Sequence, residues 1–73
     1  MNLSDFKELL EKYNVTPEKE PTEDMPVVDL GIDSFDLLMI LGDIETDIGK
    51  QLGLTLDTTV GEVLAKVTEA KRS

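Results

Sequence analysis

Histidine, cysteine and tryptophan are absent from this 73-residue chain, and its 7 basic residues face 16 acidic ones. Without cysteine there is no disulfide scaffold, and nothing follows about the redox compartment. Without histidine or cysteine the usual proton shuttle and thiol nucleophile are missing from the chain itself. Any thiol chemistry must arrive on a cofactor. The net charge of -9 leaves no cluster of Lys and Arg for phosphate contacts, so nucleic acid is not an expected partner. An acidic surface instead steers basic partner surfaces toward it. No apolar run reaches bilayer-spanning length, and Met1-Asn2-Leu3-Ser4-Asp5 has no basic flank before an apolar stretch. The expectation is a cytoplasmic protein without a membrane span.

A chain of this length forms one domain, residues 1–73, near the lower limit of independent folding. Such a chain can build a core or a deep pocket but seldom both. That favours a binding or carrying role over an enzyme, and a monomer is expected.

Leu3, Phe6, Leu9, Leu10 and Tyr13 recur at helical spacing behind Asn2 or Ser4 as an N-cap, which predicts a first helix from about Ser4 to Tyr13. Pro17, Pro21 and Pro26 then punctuate an acidic stretch that cannot continue a helix. A long loop follows, whose second half Val27, Val28, Leu30 and Ile32 are expected to pin to a core. The longest helix is predicted from Asp33-Ser34 to about Lys50, with Asp33 and Asp36 spaced as a capping box that uses Asp in place of Glu. Leu52, Leu54 and Leu56 alternate as in a strand, yet no partner strand is evident, so a loop with at most one helical turn is expected. Thr59-Val60-Gly61-Glu62 reads as a capping box, and Val60, Val63, Leu64 and Val67 line one face of a last helix to about Ala70. Lys66, Lys71 and Arg72 suit its negative pole. The fold class is all-α, a small three- to four-helix bundle with a long loop between the first and second helices.

The second helix has two apolar faces. At about 100° per residue, Leu37, Ile40, Leu41, Ile44 and Ile48 form the core stripe. Phe35, Leu38, Met39 and Gly42 lie toward the opposite side, bordered by Asp36 and Asp43 on one flank and Glu45 on the other, with Asp47 one turn on. Rimmed patches of this kind mark protein interaction sites. If the preceding loop folds over the patch, it is ordinary core.

Ser34 begins this helix, where a serine on its own reads as a helix cap. The wider pattern says more. Asp29-Leu30-Gly31-Ile32-Asp33-Ser34-Phe35-Asp36, followed by a long apolar and acidic helix, resembles the attachment motif of acyl and peptidyl carrier proteins, usually Leu-Gly-x-Asp-Ser-Leu. The resemblance extends over nearly the whole chain, through to the Thr59-Val60 start of the last helix. It implies a four-helix bundle with a short third helix and 4′-phosphopantetheine, taken from coenzyme A, on Ser34, flanked by Asp33 and Phe35. The arm's thiol would hold acyl groups as thioesters for fatty-acid, polyketide or related biosynthesis. The implied partners are a phosphopantetheinyl transferase, an acyl-loading ligase or acyltransferase, and synthases or other acyl-accepting enzymes with basic surfaces. Asp36, Leu38, Met39, Asp43, Glu45 and Asp47 are the docking candidates. A phosphodiester at a helix N-terminus would meet free N–H groups and a favourable dipole.

Several positions depart from the family's habit. Phe35 replaces the common Leu, Met39 stands where fatty-acid carriers often have Glu, Gly42 is unusual, and the Leu52 to Thr58 segment is short. The third helix is expected to be reduced or absent, and the departures lean toward a specialised carrier.

Two other readings compete. The acids from Asp29 onward do not form an EF-hand, since the sixth loop position is Ser34 and the twelfth Ile40. Diffuse divalent binding is all that they support, and no metal ligand set is assigned. An acidic helical interaction module without a prosthetic group is the stronger rival.

Overall fold

The computed structural model describes residues 1–72, which form three α-helices: α1 (Leu3–Lys12), α2 (Ser34–Ile48) and α3 (Val60–Arg72). A four-residue 3₁₀ helix, Val27–Leu30, interrupts the connection between α1 and α2. Among the described residues there is no named strand. The all-helical architecture agrees with the sequence reading.

Each helix starts where local chemistry supplies an acceptor. Asn2 Oδ1 accepts the Asp5 N–H at 2.8 Å, while the Asn2 N–H donates to Asp5 Oδ2 at 3.3 Å, a reciprocal box that fixes Asn2 as the cap. Thr59 Oγ1 accepts the Glu62 N–H at 3.2 Å and donates to Glu62 Oε1 at 3.1 Å. The glutamate thus answers the hydroxyl and leaves the cap's backbone aside. The α2 helix stops two residues before Lys50, because Gly49 takes a left-handed φ of 79° and its N–H closes on the Glu45 carbonyl at 2.9 Å.

The core is one cluster. Phe6 and Leu10 from α1, Leu37, Ile40, Leu41 and Ile44 from α2, and Val60, Val63, Leu64 and Val67 from α3 are buried together. Ile48, expected in the stripe, is half-buried.

The α1–α2 connection is fastened at two places. Glu18 N–H donates to the Leu30 carbonyl at 2.8 Å, so the start of the loop crosses its end. Gly31 permits the crossing, since its φ is 78° and an added Cβ would lie 2.7 Å from Glu18 Cβ. Further along, the Val27 and Val28 N–H groups donate to the carbonyls of Thr58 and Leu56, and the N–H groups of Val60 and Gly61 donate to those of Met25 and Glu23. The proline-rich loop is thereby paired with the chain from Leu56 to Gly61, including an isolated bridge between Pro26 and Thr59, while among the described residues Leu52 and Leu54 make no backbone bond to it. Val27, Leu30 and Ile32 are buried as expected, but Val28 is 42% exposed. In the 3₁₀ helix, neighbouring side chains cannot all face inward.

Candidate functional site

The head of α2 is built from Gly31-Ile32-Asp33-Ser34. Ile32 is buried and anchors the approach, and Asp33 caps the helix by accepting the Phe35 N–H on Oδ1 at 3.0 Å. Asp36 sends no side-chain bond back to Asp33 among the described residues, so the expected capping box is a single aspartate cap. This shifts the role of Ser34. It is the first residue of the helix proper, it is exposed, and its hydroxyl has no partner among the described residues. The capping duty that would ordinarily explain a serine here belongs to Asp33.

The Leu37 N–H donates to the Asp33 carbonyl at 3.0 Å, and the Phe35 N–H is taken by Asp33. The N–H groups of Ser34 and Asp36 are the donors of the first turn left without a bond among the described residues. An anionic group on Ser34 would stand at the positive end of the helix dipole, beside these donors.

Along the outward side of α2, Phe35 is 72% exposed, Leu38 55% and Met39 45%. The loop does not cover them, so the ordinary-core alternative is excluded. Gly42 is exposed in the same face. The acids around this strip differ from one another. Asp47 is exposed and Asp36 half-buried. Asp43 accepts the Tyr13 hydroxyl, tying the end of α1 to the middle of α2. Glu45 turns toward the next loop, where its Oε2 accepts the N–H groups of Leu52 at 2.6 Å and Gly53 at 3.2 Å. Lys66 donates to the Leu52 carbonyl at 3.2 Å, so this lysine, in the middle of α3, holds the same loop, and the cations in the last turn of α3 are Lys71 and Arg72.

The Asp43 carboxylate accepting its hydroxyl, aided by partial burial and by the charges of Asp43 and Asp47, raises the Tyr13 phenol above its ordinary value near 10.0. No residue spacing signals this contact, because Tyr13 and Asp43 are 30 positions apart. An open cavity of about 340 Å³ lies beside it, lined by Leu9, Tyr13, Ile44, Ile48 and Val67 among others. Ser34 is not among the lining residues, and the cavity sits toward the opposite end of α2, whose length is about 21 Å.

Among the described residues no group of three or more acids is placed to hold a metal ion. None of their helices is long and apolar enough to cross a membrane. Comparison with protein-family models, with curated proteins and with solved structures gives no match.

Proposed function

We propose that this chain is an acyl carrier protein bearing 4′-phosphopantetheine on Ser34. The observation that carries the reading is the unengaged, exposed hydroxyl at the first turn of α2, directly after the aspartate that caps the helix. A serine serving as a cap would have its oxygen committed; among the described residues this one has no partner. The site fits the group. Ser34 Oγ would hold the phosphodiester, and the neighbouring N–H groups and helix dipole would favour its charge. When bound, the arm supplies a terminal thiol that takes up an acyl group as a thioester. The chain's own residues hold the attachment point: Asp33 fixes the first turn, Ile32 anchors the segment before it, and Gly31 lets the loop pass over.

The fold supports the same reading at a coarser level, as three helices with a long fastened connection ahead of the serine-headed helix. Where the family has a short third helix, residues 49–59 run without one. Together with Phe35, Met39 and Gly42, this favours a specialised carrier served by its own loading ligase or acyltransferase and acceptor enzymes. These partners, and the phosphopantetheinyl transferase, dock on the outer side of α2. Asp36, Leu38, Met39 and Asp47 are available there, while Asp43 and Glu45 are also committed to contacts within the chain.

The exposed strip alone also favours a second reading, an acidic interaction module with no prosthetic group. Incubation with coenzyme A and a broad-specificity phosphopantetheinyl transferase, followed by intact mass, separates the two. The carrier gains the mass of one phosphopantetheine; an unchanged mass selects the module.

A further inference from the structure

The middle of the exposed α2 face holds a glycine. Phe35, Leu38, Met39 and Gly42 stand at i, i+3, i+4 and i+7, the four corners of a hole that receives one side chain when two helices interdigitate. Three corners are large and exposed. The fourth has no internal need to be glycine, since it lies within the regular helix and a Cβ built there meets nothing within 4 Å. Glycine in a helix interior is less stable than alanine, and nothing inside the chain offsets the loss.

We propose that Gly42 is the residue that admits a partner helix close against α2, with one large apolar side chain of the partner in the hole and Lys or Arg on either side of it. Resting on the carrier reading, this names what its docking enzymes present and which residue selects them. Charge decides between occupants. The α2 helix contains Asp36, Asp43, Glu45 and Asp47 and no basic residue, in a chain of net charge -9. A second copy would set two such faces against each other, whereas a basic helix is complementary to one. An added side chain at position 42 would fill the hole and lift the partner away from the charges that orient it.

The test compares wild type, Gly42→Ala and Gly42→Leu as substrates of the broad-specificity transferase, measuring KM for the protein, kcat and melting temperature. Gly42→Ala should melt about 4–8 °C higher and yet show a raised KM. Gly42→Leu should raise KM about tenfold or more, the equivalent of losing one good apolar contact. Gain of stability with loss of docking is an outcome that a purely structural role cannot produce. If all three proteins are modified with the same KM, the inference fails and the carrier reading stands. If wild type is not modified at all, the carrier reading fails and the inference with it. If sedimentation velocity shows a dimer that Gly42→Leu dissolves, the hole receives a second copy and the basic partner is overturned.

Discussion

At the residue scale two adjacent side chains at the head of α2 have different duties. Asp33 caps α2 through the Phe35 N–H, while the exposed Ser34 hydroxyl makes no bond among the described residues. Asp33→Ala should therefore cost about 1 kcal/mol, and Ser34→Ala should stay within about 0.5 kcal/mol of wild type, as unengaged surface sites do. Urea unfolding measures both; an equal loss from the two variants would return Ser34 to a capping role. Tyr13 offers a second residue-scale reading. Its hydroxyl form is favoured in the folded state by Asp43, so the contact's contribution is complete below about pH 10 and is lost as pH rises through the raised folded value. As the sole tyrosine in a chain without tryptophan, it can be titrated by ultraviolet absorbance. The midpoint should lie above 10 in wild type and fall back in Asp43→Asn. A midpoint that the substitution leaves in place would show that the two groups do not meet in solution.

At the element scale, legibility followed the range of the forces involved. Helix periodicity and caps are local, and the positions of α1, α2 and α3 were readable to within one or two residues from Leu3, Phe6 and Leu10, from Leu37, Ile40 and Leu41, and from Val60, Val63 and Val67. So was the outward strip, because an apolar residue opposite a buried stripe is a contradiction visible in the sequence. What escaped depends on distant pairing. The alternation of Leu52, Leu54 and Leu56 is not a strand: the Leu56 carbonyl meets the proline-rich loop about 30 residues earlier through the Val28 N–H, and Leu52 is held by Glu45 and Lys66. Glu45 had the position of a rim charge, and only the fold turns its carboxylate onto Leu52 and Gly53. That geometry predicts a measurable cost. Glu45→Ala should destabilise the chain by about 1–3 kcal/mol, since it strips two N–H groups of a charged acceptor, whereas Asp47→Ala on the exposed side should change stability by less than about 0.5 kcal/mol. Equal effects would mean that the 49–53 loop is not held by Glu45.

At the scale of the whole molecule, 16 acidic residues share a surface about 34 Å long and 21 Å wide with 7 basic ones. Some of the basic residues have definite work, as with the Lys7–Glu20 ion pair and the Lys66 bond to the Leu52 carbonyl, but the excess of carboxylates is not neutralised. Self-repulsion should limit stability, so salt and divalent cations should both raise the melting temperature by screening. The divalent effect should be shallow and non-saturating because the described acids form no three-ligand cluster. Insensitivity to both would mean that the charges are balanced locally. On the proposed reading, the same acidity would favour partners with basic surfaces, and α2 exposes an apolar strip that begins beside Ser34.

The most direct test of the central claim is site-resolved mass spectrometry of the chain after treatment with coenzyme A and a broad-specificity phosphopantetheinyl transferase. The account predicts one phosphopantetheine per chain, located on the peptide containing Ser34, and no modification of a folded Ser34→Ala protein. An unmodified wild-type chain, or an arm found on any other serine or threonine, would contradict it.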